Sequence, residues 1–332
     1  MNPERRSFVR LLGAAGGVTL AFRSAAARSG PPRDENLPDT SSYGSFRYPD
    51  AGDLDYVHGL YGRADRLTAE VRQALPHYLD LPYGPHPKQR LDLYLPKVKV
   101  RNAPVLVFIH GGGFSEGHRA HYGYVAGPYA ARGVVTAVMG YRLIKDGGPY
   151  PAQPDDVKEA LSWLQRHVAQ YGGDPGSFFV AGHSVGAVLA ADVGVDRSWL
   201  SARGLDPAML KGIAPISGLY DLTKSETYDP LHNDVMSTAY VPTVEQQIRA
   251  SALRHIVDPV PAAVIACGDT GTTERNFPES SRKLYDALVA KGVHAQFLLM
   301  QGSNHIDTVF AFATEGAPLF EKVAAMIGTT SA

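Results

Sequence analysis

Ser184 is set in Gly182-His183-Ser184-Val185-Gly186, with the apolar run Phe178–Ala181 before it and Ala187–Val195 after it. Glycines on both sides suit a strand-to-helix turn too tight for flanking side chains. Such a turn lifts the serine hydroxyl to the top of a sheet. It also places the Val185 N–H at a helix N-terminus, aimed at developing negative charge. A second glycine cluster, His110-Gly111-Gly112-Gly113-Phe114, follows the apolar run Val105–Ile109. Its backbone can approach a substrate closely, so the N–H groups of Gly112 and Gly113 join Val185 as candidate oxyanion donors. The chemistry indicated is acyl transfer by a serine nucleophile.

A serine nucleophile needs a base, and the base needs a group to orient it. Of the 12 histidines, His305 stands out. It ends Gly302-Ser303-Asn304-His305, after the run Ala295–Leu299, where a loop can reach back over the C-terminal edge of a sheet. The acid is expected in the loop after Val264–Cys267, giving the chain order serine, acid, histidine. Asp269 and Glu274 both qualify. Asp269 is close enough to the strand end to serve the turn instead, so Glu274 is favoured and Asp269 is the alternative. His110 is expected to orient its own loop by a hydrogen bond. His118 and His121 match no helix-borne zinc motif, and the single Cys267 excludes a Cys-rich metal site. No metal and no cofactor is expected.

Elements must hold these residues in place. Val105–Ile109, Val134–Met139, Phe178–Ala181 and Val264–Cys267 are short, β-branched apolar runs that read as buried strands. Leu91–Leu95 alternates and suits an edge-proximal strand, and Ile213–Ile216 and Ala295–Leu299 are further candidates. Helical spacing appears in Val157, Leu161, Leu164 and Val168, in Leu284, Leu288 and Val289, and in Phe310, Leu319, Val323 and Ile327. This alternation predicts an α/β fold, a mostly parallel central sheet flanked by helices. The irregular stretch 220–261 reads as a lid insertion.

The rest of the composition narrows the field. The chain has 332 residues, 44% hydrophobic, which is too apolar for a disordered protein. Its 32 basic and 33 acidic residues leave a net charge of −1, so a nucleic-acid partner is not expected. Arg5-Arg6-Ser7-Phe8-Val9 precedes a weakly apolar run, Leu11–Phe22, and a small-residue site, Ala25–Ala27. Residues 1–27 therefore read as a twin-arginine export signal, whose apolar run is too short to span a bilayer. A periplasmic or secreted protein follows, without membrane insertion after cleavage. Residues 28–80 are expected to form an N-terminal arm or linker, and 81–330 the catalytic domain. The mature chain would carry −4, since the removed piece holds four arginines against Glu4.

From Leu81 to Ile327 the sequence resembles the α/β-hydrolase superfamily. It is most similar to the esterase/lipase branch with a His-Gly-Gly-Gly motif, which includes carboxylesterases related to hormone-sensitive lipase and kynurenine-formamidase-like enzymes. The resemblance rests on Tyr83-Gly84-Pro85, Arg90–Pro96, Tyr141-Arg142-Leu143, Asp155-Asp156 and Gly172–Pro175. It rests also on Ile216-Ser217-Gly218-Leu219-Tyr220-Asp221-Leu222 and Asn304–Asp307. Two departures stand out. Val185 replaces the usual alanine after the nucleophile, and Gly271 stands where an acid is often found.

The expected function is hydrolysis of carboxylic esters, with a small-molecule substrate, Ser184 as nucleophile, His305 as base and Glu274 as its partner. The SGxYDL-like stretch makes an aryl formamide the alternative substrate. A reading of another class is a non-catalytic relative that only binds, because fold does not dictate function.

Overall fold

The apolar runs become strands of one eight-stranded sheet. A computed structural model of the chain describes residues 51–223, 240–271, 274 and 276–329. The expected export signal at 1–27, residues 28–50 and the middle of the expected insertion at 224–239 lie outside the described residues. The strands are β1 (His77–Pro82), β2 (Arg90–Tyr94), β3 (Ala103–Ile109), β4 (Val135–Met139), β5 (Gly173–His183), β6 (Leu210–Ile216), β7 (Ala262–Gly268) and β8 (Ala295–Met300). Their order is β1-β2-β4-β3-β5-β6-β7-β8. β1 and β2 are antiparallel, as are β2 and β4, and every other neighbouring pair is parallel. The sheet is thus mostly parallel, as the strand–helix alternation predicts.

A parallel sheet is covered on both faces, which explains why its strands read as unbroken apolar runs. Side chains alternate along a strand. On β3, Val105, Val107 and Ile109 enter one core, while Leu106 and Phe108 enter the other. The first core is closed by α3 (Ala152–His167), α4 (Val185–Val195) and, beside them, α7 (Phe277–Ala290). The second is closed by α1 (Ala51–Ala74), α2 (Ala126–Ala131), α8 (His305–Phe312) and α9 (Pro318–Ile327). Two short helices, α5 (Ser198–Ala202) and α6 (Val244–Arg249), lie in the connections.

Besides the short helices α2 and α5, two elements have no counterpart in the sequence-based expectations, and both begin in the stretch expected to be an arm. Helix α1 buries Leu60, Tyr61, Ala64 and Thr68, a helical stripe in which alanine and threonine dilute the apolar signal. Polar contacts dock it: Thr68 Oγ1 donates to the His121 carbonyl at 3.1 Å, and the Tyr124 N–H donates back to Thr68 Oγ1 at 3.0 Å. Strand β1 is a half-exposed edge with a register shift between Tyr78 and Leu81. The described part of the insertion is tied down. The Leu253 N–H donates to the Tyr220 carbonyl at 2.9 Å, and Arg254 pairs with Asp221 at 2.8 Å.

Two of the motif segments and the turn before β2 meet at one buried carboxylate, Asp156. Its oxygens accept from Gln89 Nε2 at 2.7 Å, the Arg142 N–H at 2.8 Å and the Arg142 guanidinium at 2.6 Å. This pins the turn before β2 and the segment after β4 to the first turns of α3. His110 is the second buried polar anchor, enclosed between Tyr141 and Tyr122 with ring centroids 4.5 and 5.9 Å away. Burial, the largest cause, lowers its pKa to about 3, and His118 is lowered to about 4, chiefly by burial too.

Removing Asp156 takes the acceptor from Gln89 and the Arg142 N–H, while the half-exposed Arg142 guanidinium keeps access to water, so Asp156→Ala should lower the unfolding free energy by about 1–3 kcal/mol in urea titration. A loss below about 1 kcal/mol would show that the pair is dispensable. The histidines set a pH dependence. The unfolded chain takes up their protons below the ordinary histidine value of about 6.5, while the folded chain does not. Their contribution is therefore present above that pH and is lost as pH falls toward 4. The urea midpoint should drop from pH 7 to pH 5, and His110→Asn should remove about one proton of uptake on unfolding. A midpoint flat over this interval would contradict the assignment.

Candidate active site

The serine turn is as tight as the glycine pattern requires. A Cβ on Gly182 would lie 2.1 Å from the Gly186 carbonyl oxygen, and one on Gly186 would lie 2.2 Å from the Ile109 carbonyl oxygen. No side chain fits at either place. Between them Ser184 is held at φ 59° and ψ −124°, outside the favoured regions for a residue with a Cβ. Strain of this kind persists only where the surroundings over-determine it, and here they do. The Ser184 N–H donates to the Ile216 carbonyl of β6 at 2.9 Å, and α4 begins at the next residue. The hydroxyl thus stands at the positive end of a helix buried along almost its whole length.

The His-Gly-Gly-Gly segment packs directly against this turn. A Cβ on Gly111 would meet the Ser184 Cβ at 3.0 Å, and one on Gly112 would strike the Glu116 carbonyl oxygen at 2.2 Å. Gly112, Gly113 and Phe114 all have positive φ, at 119°, 58° and 61°. The Gly112 carbonyl is turned away and accepts from the Glu116 N–H at 2.8 Å. Among the described residues, the Gly112 and Gly113 N–H groups donate to no other group. Nδ1–H of His110 donates to the Gly111 carbonyl at 2.7 Å, which steadies the segment. Phe114 is fully buried, and its ring stacks on Tyr240 with centroids 3.6 Å apart.

His305 and Glu274 come together from different strand ends. Nδ1 of His305 lies 2.8 Å from Glu274 Oε1, so Nδ1–H donates to the carboxylate. Glu274 is 1% exposed, whereas His305 and Ser184 are only half-buried. Asp269, the alternative acid, is exposed and accepts from the Gly302 N–H at 2.7 Å. It braces the turn that carries the histidine and does not touch the ring. The carboxylate on the ring thus lies beyond Gly271, further along the loop.

His305 opens α8, and the local sequence explains why. Asn304 caps the helix, accepting from the N–H groups of Ile306 and Asp307 at 3.0 and 2.9 Å, while Asp307 accepts from the Asn304 N–H at 3.0 Å. This reciprocal cap sets the direction of the first turn, and with it the histidine.

Three side chains that the sequence analysis does not single out also converge here. The His183 ring lies 4.4 Å from the His305 ring, with Nε2 2.8 Å from the His305 carbonyl. Thr308 Oγ1 donates to the same carbonyl at 2.7 Å, and Ser217 Oγ donates to Thr308 Oγ1 at 3.1 Å. Burial, reinforced by the neighbouring His305, pushes the His183 pKa well below its ordinary value. The only sequence signal was that His183 and Ser217 lie inside quoted motifs and Thr308 directly after one. The two histidines weighed for zinc have other partners. His118 Nδ1 accepts from the Ala120 N–H at 3.2 Å, and His121 Nδ1 pairs with Asp65 at 2.6 Å.

With this geometry in view, the likeness to known proteins can be placed. A kynurenine formamidase of Danio rerio is 26% identical over 269 residues, 79% of this chain and 85% of that protein. A probable isoprenylcysteine alpha-carbonyl methylesterase of Arabidopsis thaliana is 25% identical over 271 residues. This match covers 74% of the chain but only 54% of the plant protein, so the chain spans about half the length of that relative. A hyperthermophilic esterase from Pyrobaculum calidifontis shares the fold, with a TM-score of 0.65 over 84% of this chain and 95% of that one, at 23% identity. The BD-FAE family model matches residues 91–276, from β2 through the loop that carries Glu274 and more than half of the 332 residues. The chain therefore belongs to the BD-FAE family, within the α/β-hydrolases of esterase and lipase type.

Proposed function

We propose that the protein is a serine hydrolase that cleaves carboxylic esters through an acyl-enzyme. The observation that carries this reading is the 2.8 Å bond from His305 Nδ1 to the buried Glu274, beside a serine held at positive φ on a helix N-terminus. Ser184 Oγ attacks the ester carbonyl while His305 Nε2 takes its proton. Glu274 keeps the proton on Nδ1 and stabilises the imidazolium that forms. The N–H groups of Gly112, Gly113 and Val185 receive the oxyanion. His305 then protonates the leaving alcohol, and water, deprotonated by His305, releases the acid.

An aryl formamide is the second substrate reading. It is supported by the Danio rerio relative, matched over 85% of its length, and by the stretch Ile216–Leu222. The same residues serve both, because ester and amide hydrolysis pass through similar tetrahedral intermediates. Export places the enzyme in the periplasm or outside the cell, on the reading of residues 1–27 as a twin-arginine signal.

Ser184→Ala should lower kcat for p-nitrophenyl acetate by at least about a thousandfold, with the fold intact by circular dichroism. Glu274→Gln should lower it by about 10²–10⁴-fold, and Asp269→Asn by less than about threefold. Equal losses in the two acid variants would overturn the assignment of Glu274. The ratio of kcat/KM for p-nitrophenyl acetate and N-formylkynurenine decides the substrate class. An advantage of about tenfold or more for the formamide would replace the ester reading. A chain whose Ser184 resists a fluorophosphonate probe would be a binding protein instead. Replacing Arg5 and Arg6 by lysine should leave uncleaved precursor in the cytoplasm, and normal export of that variant would remove the signal assignment.

A further inference from the structure

The His305 carbonyl is unusually well held for the first residue of a surface helix. It accepts from two side chains, Thr308 Oγ1 at 2.7 Å and His183 Nε2 at 2.8 Å. Thr308 belongs to the same helix, so its bond is local. His183 belongs to β5, and its bond ties the end of that strand to the start of α8. His183 is also the residue immediately before the nucleophile. One side chain therefore links the Ser184 turn to the backbone of the base.

The tautomer follows from the partners. A carbonyl oxygen only accepts, so Nε2 of His183 carries the proton. Its Nδ1 is buried and has no hydrogen-bond partner among the described residues. A neutral ring with a bare Nδ1 fits this place, and a second proton there would find no acceptor. Burial and the His305 ring 4.4 Å away both oppose the cation. The ring cannot serve as a proton carrier. It can serve as a neutral donor whose position does not change when His305 gains its proton.

From this geometry we infer that His183 is a positioning residue: its Nε2–H, donated to the His305 carbonyl, sets the distance between Ser184 and the imidazole of His305. The inference rests on the serine-hydrolase reading above and adds a residue to it. A transfer of a proton from Ser184 Oγ to His305 Nε2 needs the two atoms at hydrogen-bond reach, and a displacement of about 1 Å can lower the rate about a hundredfold. The strained turn fixes one end of that distance. The His183 bond ties the other end to the same strand, adding to the Asn304–Asp307 cap and the Glu274 contact a link that runs directly from the serine turn to the His305 backbone. Ser217, held at φ 52° with its N–H on the Ala266 carbonyl at 2.8 Å, supports the same carbonyl through Thr308.

The test compares two variants in the full chain. His183→Leu keeps the bulk and removes the donor. His183→Gln carries an amide N–H at about the reach of Nε2. His183→Leu should lower kcat for p-nitrophenyl acetate by about ten- to a hundredfold with KM within about twofold, and His183→Gln should recover most of that loss. A purely structural role predicts instead that both variants lose thermal stability in parallel with activity. A second readout does not depend on turnover. In a sample with 15N-labelled histidine, the Nδ1–H resonance of His305 should exchange with water at least about tenfold faster in His183→Leu, and at the parent rate in His183→Gln. Leucine at this position with kcat within twofold of the parent and an unchanged His305 resonance would overturn the inference. So would glutamine as impaired as leucine. If the parent itself turns over no ester or formamide, the functional reading fails, and the exchange rates alone then decide whether His183 holds the loop.

Discussion

The structure depends on a place where backbone meets backbone with no room for a side chain. Gly182 faces the carbonyl of Gly186, and Gly186 faces the carbonyls of Ile109 and His110. β5, α4 and the end of β3 are thereby held at glycine distance. The Ser184 conformation follows from that approach, because the chain must reverse between the two glycines. The position of the His-Gly-Gly-Gly segment follows as well, since Gly111 is pressed onto the Ser184 Cβ. The Ser184 hydroxyl and the N–H groups of Gly112 and Gly113 are thus placed by one steric constraint. It acts through main chain, the least deformable part of a protein.

His305 is placed by other means. It rides on a helix start set by the Asn304–Asp307 cap and is drawn toward the serine turn by His183, Thr308 and Glu274. These are hydrogen bonds between side chains and loops, softer than a backbone contact. Asp269 adds a brace one turn away. This division suits the reaction proposed above, in which the oxyanion donors are preorganised to stabilise developing charge, whereas the imidazole exchanges protons with two different groups in succession. Further from the chemistry, the Asp156 hub keeps β2, the segment after β4 and α3 in register around the first core.

Much of this was legible in the chain. Six of the eight strands announced themselves as apolar runs, because a parallel sheet buries both faces of a strand, and β2, antiparallel to both neighbours, as an alternating one. The helices after Pro154, after the serine turn and near the end were readable from their spacing. β1 was hidden because a half-exposed edge strand carries alternating polar residues. α1 was hidden because much of its buried stripe is alanine and threonine, docked by hydrogen bonds. His183 was invisible as a participant, since nothing local says that its ring turns toward a loop 122 residues away.

What the sequence determined by itself was therefore the chemistry available: a serine between two glycines, a run of glycines after a strand, a histidine in a late loop and two acids to choose from. These are local statements, and local sterics and turn chemistry suffice to make them. Which of the two carboxylates lies against His305 was decided by the tertiary structure. Both lie in one short loop, and only the course of that loop buries Glu274 against His305 while leaving Asp269 exposed on the Gly302 N–H. Spacing along the chain does not encode which carboxylate turns inward. That is settled when β7, β8 and α8 pack and leave a single buried place beside the imidazole.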